Sequence, residues 1–307
     1  MSKVIRIGTR DSELALWQAT TVQNQLEALG HSTTLVPVKS VGDLKLDQPL
    51  YELGVTGIFT KTLDVALIKG DIDIAVHSMK DVPTQLPKGV VKAAVLERAE
   101  SEDVLVHKGA DFLNGKGILA TGSLRRKAQW LAKYPKHQVV DLRGNVNSRL
   151  IKLIENDWNA AIFAKAGLER IKLLPKDAIV LDWMVPAPAQ GAMMVAAHES
   201  NTAVCEAVAP LNHEATAITT QIEREFLRTL EGGCTAPIGA YAKIKDLTVF
   251  FKGCLHALDG STFVSLEKER PIARCEGFGK SCAYEVLDKG GRQLLEEIKN
   301  ELNNSVH

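Results

Sequence analysis

The sequence predicts an α/β protein that carries a smaller α+β unit at its C-terminal end. Two patterns predict it. Through about residue 200, short β-rich runs alternate with amphipathic stretches, the signature of sheets with helices on their faces. Beyond Pro210 the alternation stops, and one long helical stretch is followed by three strand-like runs. The length of 307 residues agrees with two or three domains and with a sizeable core that needs no staples.

In chain order, VIRIG reads as a strand, and Ser12 to Leu29 as a helix capped by Ser12 and closed by Gly30. TTLVPVK is the next strand. A Gly-rich loop spans Val41 to Gly57, Phe59 to Lys69 reads as a helix, and Asp73 to His77 as a strand. The pattern resumes with DVLVH, GILAT, a helix from Ser123, the strand QVVDL, a helix from Asn145 and the strand AAIFA. The apolar run MMVAA near residue 195 is strand-like but isolated, as expected if the chain crosses back into the first sheet there. Glu214 to Leu230 is a long helix leading into EGGCTAPIGA. Strand-like runs follow at YAKI, LTVFFKGCLHAL and TFVSLEKE, and a helix from about Ser281 to Leu302 closes the chain.

Composition narrows the function classes. Lys plus Arg and Asp plus Glu number 37 each, so no global field favours nucleic acid or a membrane surface. Any anion must be held by local clusters. The N-terminal MSKVIRIGTRDSE has no apolar core of a signal peptide, and no apolar run approaches the ~20 residues of a membrane span. The five cysteines form no CxxC pair, which points to free thiols in a reducing cytoplasm and no zinc site.

Two similar strand-to-helix turns are the most informative feature. ILATGSLRRKAQWL passes through Thr121-Gly122-Ser123 into a helix opening with Arg125 and Arg126. VVDLRGNVNSRLIKL passes through Arg143-Gly144-Asn145 into a helix with Arg149 in its first turns. Each places orphan backbone N–H groups and guanidinium forks at the carboxyl end of a strand, where open α/β sheets bind ligands. One such turn alone reads equally well as a capped surface helix with solvated arginines. Arginine in a first turn opposes the helix dipole, and two in succession imply a compensating polyanion. Arg10-Asp11-Ser12 repeats the layout at the first turn, and Arg170, after AKAGLE, can face the same cleft or solvent.

In DIDIAVHSMKDVPT an apolar strand runs into Ser78, Met79, Lys80 and Asp81 and is stopped by Pro83. Asp81 can serve as a general acid or accept from a ring N–H; a surface turn with a local ion pair is the alternative. His77 and Ser78 do not form a dyad, because neighbours on a strand point to opposite faces. Cys234, in LEGGCTAPIG, sits between a helix and a strand, where it is a nucleophile, an attachment point or incidental. Cys205, Cys254 and Cys282 lie in apolar or helical settings and read as structural thiols.

IGTRDSELALWQA, HSMKDVP, GSLRRKAQ, LRGNVNSRL, PAPAQGA and EREFLRTLEGGC occur in this order. Together they resemble the hydroxymethylbilane synthase (porphobilinogen deaminase) family over nearly the whole chain. The resemblance implies two periplasmic-binding-protein-like (type II) domains with a cleft between them, plus a small C-terminal α+β domain. Domain 1 would comprise residues 1–96 and 190–211, domain 2 residues 97–189 and domain 3 residues 212–307. It also implies a cytoplasmic monomer that condenses four porphobilinogen molecules into a linear hydroxymethylbilane, releasing ammonia at each step. A dipyrromethane cofactor would be held by a thioether to Cys234.

By the same resemblance, Asp81 is the catalytic aspartate, and it binds the cofactor together with Ser78, Lys80, Thr121, Ser123, Arg125, Arg126 and Arg149. Arg10, Ser12, Arg143 and Arg170 would hold the carboxylates of substrate and growing chain. Three departures from the family pattern stand out: Glu52 and Thr56 replace loop lysines, Gly122 removes a hydroxyl, and Ala189 replaces a hinge glycine. A non-enzymatic anion-binding protein and a transferase or hydrolase using Cys234 as nucleophile are the competing readings.

Overall fold

Two five-stranded sheets of this chain share one topology. The structure is a computed structural model and describes residues 4–38, 60–230 and 236–304. The Gly-rich segment with Glu52 and Thr56, and Cys234 itself, lie outside the described residues.

The first sheet contains β1 (Ile5–Thr9), β2 (Thr33–Pro37), β3 (Ile74–Ser78), β4 (Val90–Val95) and β10 (Met193–His198), in the order β2-β1-β3-β10-β4. β1 runs parallel to β2 and β3, whereas β10 is antiparallel to both neighbours. The second sheet contains β5 (Asp103–His107), β6 (Ile118–Ala120), β7 (Gln138–Val140), β8 (Ala160–Ala164) and β9 (Ile179–Val180), in the order β7-β6-β8-β5-β9. Here β6 is parallel to β7 and β8, and β5 is the reversed strand.

Each sheet thus takes its reversed strand from a segment that has just crossed from the other. The crossings are residues 96–102 and 181–192. The isolated run MMVAA is the returning strand β10, seated inside the first sheet. This pair of like sheets joined by two crossovers is the type II arrangement that the sequence led us to expect.

Helices cover both faces of each sheet, and alternate strand residues feed opposite cores, as a period of two requires. Ile74 and Val76 pack toward α1 (Glu13–Ala28), while Ala75 faces α2 (Lys61–Lys69). In the second sheet Val104 and Val106 face one core and Leu105 the other. Its helices are α3 (Leu124–Lys133), α4 (Val146–Glu155) and the short α5 (Lys165–Arg170).

After α6 (Thr202–Val208) comes α7 (Glu214–Thr229), then the antiparallel sheet of β11 (Ile238–Lys245), β12 (Thr248–His256) and β13 (Phe263–Pro271). Ile222 and Phe226 of α7 pack with Ala240, Phe251 and Leu255 on one face of this sheet. The expected single closing helix is instead two, α8 (Phe278–Val286) and α9 (Arg292–Asn304). Gly290 takes φ +106 between them, a turn that Gly allows and a continuous helix does not. Strand β4 and helix α6 have no counterpart in the sequence reading.

Glu223 joins the C-terminal unit to the crossovers. Its buried carboxylate accepts from both terminal nitrogens of Arg98 at 2.6 and 3.1 Å, from the Ala189 N–H at 2.6 Å and from the Ala242 N–H at 2.7 Å. A second link is the Ala240 N–H, which donates to the Pro186 carbonyl at 3.0 Å.

Candidate active site

The ends of β1, β3, β6, β7 and β8 and one crossover converge on a cavity of about 330 Å³. β3 ends in a single 3-10 turn, Met79–Asp81, held by the Met79 N–H to the Ala192 carbonyl at 3.0 Å. β1, β6 and β7 each end in a turn opening a helix whose N-terminus is capped by a side chain. Ser12, Ser123 and Asn145 accept from the N–H groups of Ala15, Arg126 and Ser148. Such caps fix the entry angle of each helix and aim its positive end at the cavity. Ala187, Pro188, Gln190, Gly191 and Ala192 of the second crossover form the floor.

The cavity brings together Arg10, Ser12, Ser78, Lys80, Asp81, Ser123, Arg125, Arg126, Arg143, Arg149 and Arg170. All of these were singled out from the sequence. Thr121 is not among the lining residues; it is buried, and its hydroxyl accepts from the Ser123 N–H at 3.3 Å. Of the four described cysteines none lines the cavity, and burial pushes the thiols of Cys254 and Cys282 up to about 11. No group of three or more potential metal-binding side chains occurs among the described residues.

Among the described residues, seven cationic side chains line the cavity against one carboxylate, Asp81. Burial pulls Arg149 and Arg170 down to about 10, and burial with the nearby Arg126 pulls Lys80 down to about 8. Among the buried side-chain atoms, Arg125 Nε and Arg143 Nη1 have no hydrogen-bond partner. A buried, unpaired guanidinium donor is costly, so the lining fits a ligand that brings several carboxylates.

The structure also corrects one inference. The first-turn arginines of α3 are not balanced by a ligand alone. Arg125 Nη1 donates to Asp103 Oδ2 at 2.8 Å, and Arg126 Nε and Nη2 donate to Asp103 Oδ1 at 3.1 and 2.7 Å. Burial alone would raise the Asp103 pKa, but the two guanidinium groups outweigh it and hold this carboxyl well below the usual range. Gln190, fully buried, extends the network. It donates to Asp103 Oδ1 at 2.9 Å and accepts from Lys80 Nζ at 3.2 Å. Asp103 and Gln190 were not foreseen, because neither sits beside its partners in sequence.

Comparison with known proteins decides the family. Residues 5–206 match the model described as porphobilinogen deaminase, dipyromethane cofactor binding domain, and residues 217–288 match porphobilinogen deaminase, C-terminal domain. The chain belongs to the porphobilinogen deaminase family. A porphobilinogen deaminase of Pelobacter propionicus is 41% identical over 300 residues, covering 96% of this chain and 97% of that protein. One of Carboxydothermus hydrogenoformans is 41% identical over 310 residues, covering 99% and 100%. Among solved structures, a periplasmic substrate-binding protein of an ABC transporter from Coxiella burnetii aligns with a TM-score of 0.43 at 15% identity, over 72% of this chain and 97% of that one. The cationic cavity lies within the segment that matches the family's cofactor-binding domain, except for Leu227, Ala236 and Ile238 at its rim. No helix among the described residues is long and apolar enough to cross a membrane.

Proposed function

We propose that this chain condenses four porphobilinogen molecules head to tail on a dipyrromethane joined to Cys234. Each condensation releases ammonia, and hydrolysis then frees the linear hydroxymethylbilane. The observation that carries this reading is the ratio of seven cations to one carboxylate among the described residues that line one cavity. A chain of pyrroles bearing acetate and propionate groups gains negative charge with every unit, and Arg forks match carboxylates. A non-enzymatic binding protein is disfavoured, because relatives matching nearly end to end are named as deaminases.

In this reading Ser78, Lys80, Ser123, Arg125, Arg126 and Arg149 hold the cofactor's carboxylates, and Thr121 supports them through the Ser123 N–H. Arg10, Ser12, Arg143 and Arg170 hold those of the incoming substrate and growing chain. The dipyrromethane, when bound, supplies an anchored pyrrole whose free α-carbon is extended. Asp81 accepts from pyrrole N–H groups, assists proton transfer as the amine departs and offsets positive charge developing on the ring nitrogen. With domains at residues 1–96 with 190–211, 97–189 and 212–307, as we propose, the lining comes mainly from domains 1 and 2, with Leu227, Ala236 and Ile238 from domain 3. We further assign the protein to the cytoplasm as a monomer with no nucleic-acid or membrane partner.

Intact-mass measurement tests the central step. Wild-type protein is expected to carry the added mass of a dipyrromethane, and Cys234→Ser to be bare polypeptide. A wild-type protein that stays bare after incubation with porphobilinogen would refute the covalent primer.

A further inference from the structure

The turn bearing Asp81 has little to hold it from within. It is one 3-10 turn of three residues, closed by the Val82 N–H to the Met79 carbonyl at 3.2 Å and followed by Pro83, which has no N–H to donate. Isolated 3-10 turns have poor hydrogen-bond geometry. Three carbonyls around it, those of Met79, Val82 and Pro83, receive one guanidinium from the C-terminal unit. Arg224 Nη1 donates to the first two at 3.2 and 2.9 Å, and Nη2 to the third at 2.5 Å. A planar guanidinium with donors in fixed directions suits such a cluster, whereas an ammonium engages it as a single point.

The neighbouring residue sets the other end of the link. Glu223 fixes α7 to the crossover through Arg98 and the Ala189 N–H, while Arg224 reaches from the same helix to the Asp81 turn. Consecutive residues of one rigid helix therefore tie the cavity floor to the turn. We propose that Arg224 is a positioning residue that sets where Asp81 stands relative to the bound pyrroles. This rests on the reading of Asp81 as the catalytic carboxylate.

Arg224→Ala and Arg224→Lys test it beside Asp81→Ala, with steady-state kinetics on porphobilinogen and intact mass to count the fraction carrying primer. A small displacement of a catalytic group can cost about 10²-fold in rate. Arg224→Ala is therefore expected to lose roughly that in kcat per primer-bearing molecule, with KM near the wild-type value and Arg224→Lys in between. Wild-type kcat in Arg224→Ala, with Asp81→Ala inactive, would overturn this inference alone. So would a loss that merely tracks the fraction of folded, primer-bearing protein. An active Asp81→Ala would instead overturn the reading of Asp81 and this inference with it.

Discussion

Among the lining cations, Lys80 is held closest to neutral pH. Burial first, then Arg126, lowers it to about 8 from the ordinary 10.5, against the opposing pull of Asp81 and Asp103. Between these two pH values the folded protein binds fewer protons at this site than the unfolded chain, so stability rises with pH through that window. Carboxylates entering the cavity favour the ammonium form and must move the midpoint upward. We predict that Lys80 in Cys234→Ser titrates near pH 8 by pH-dependent amine labelling and peptide mapping. In primer-bearing wild type the midpoint should be higher. A midpoint near 10.5 in the Cys234→Ser protein would contradict the burial argument. Most of the cations were legible in the sequence: Arg10, Arg125, Arg126, Arg143 and Arg149 sit by strand-to-helix turns opened by a capping side chain, and Lys80 sits where an apolar strand stops. Their supports were not: Asp103 lies 87 residues from Gln190 and Arg98 lies 125 from Glu223, distances that local pattern cannot bridge.

Among the elements, the second crossover has little freedom to change. Ala189 at φ +62 and Gly191 at φ +87 flank Gln190 and turn its side chain between the two sheets. A Cβ on Gly191 would lie 2.6 Å from the Ala99 carbonyl and 2.8 Å from that of Glu100, so the crossovers run too close for any side chain there. Left-handed geometry costs an L-residue roughly 1–2 kcal/mol, and overpacking adds about 1–3 kcal/mol. Gly191→Ala should therefore lose at least about 2 kcal/mol in urea denaturation. Ala189→Gly relieves the same left-handed cost, but it loosens the unfolded chain by about 0.4–1 kcal/mol and removes a buried methyl worth about 0.8 kcal/mol, so gain and loss nearly cancel. A large stability change in Ala189→Gly would show that the hinge alanine does more than occupy its conformation. Sequence reading succeeded where an element carries its own ends. The caps at Ser12, Ser123 and Asn145 each open the helix expected of them. It failed at β4, where Lys92 interrupts the apolar run and the pairing partner, β10, arrives about a hundred residues later. It failed again at the closing helix, whose break at Gly290 and Gly291 lies inside an otherwise continuous amphipathic pattern.

For the whole molecule, the decisive property is that a chain with 37 acidic and 37 basic residues concentrates seven cations around one cavity. Mutual repulsion and desolvation make that arrangement costly without a polyanion, since buried charge needs pairing. A ligand that binds only the folded state stabilises it in proportion to the logarithm of its concentration over Kd. A primer joined to Cys234, as proposed, would act as such a ligand at very high effective concentration, so wild type should melt well above Cys234→Ser. Citrate, as a soluble polycarboxylate, should raise the Tm of Cys234→Ser in a concentration-dependent way. The response should shrink in high salt, which screens charge over a Debye length of about 10 Å at 0.1 M and 3 Å at 1 M. It should also weaken in Cys234→Ser carrying Arg143→Ala or Arg149→Ala, which remove cations from the lining. Equal melting of wild type and Cys234→Ser, with no response to citrate, would mean that the protein offsets its own cavity charge. The ion pairs of Asp103 would then be sufficient, and the surplus arginines would not constitute an anion site.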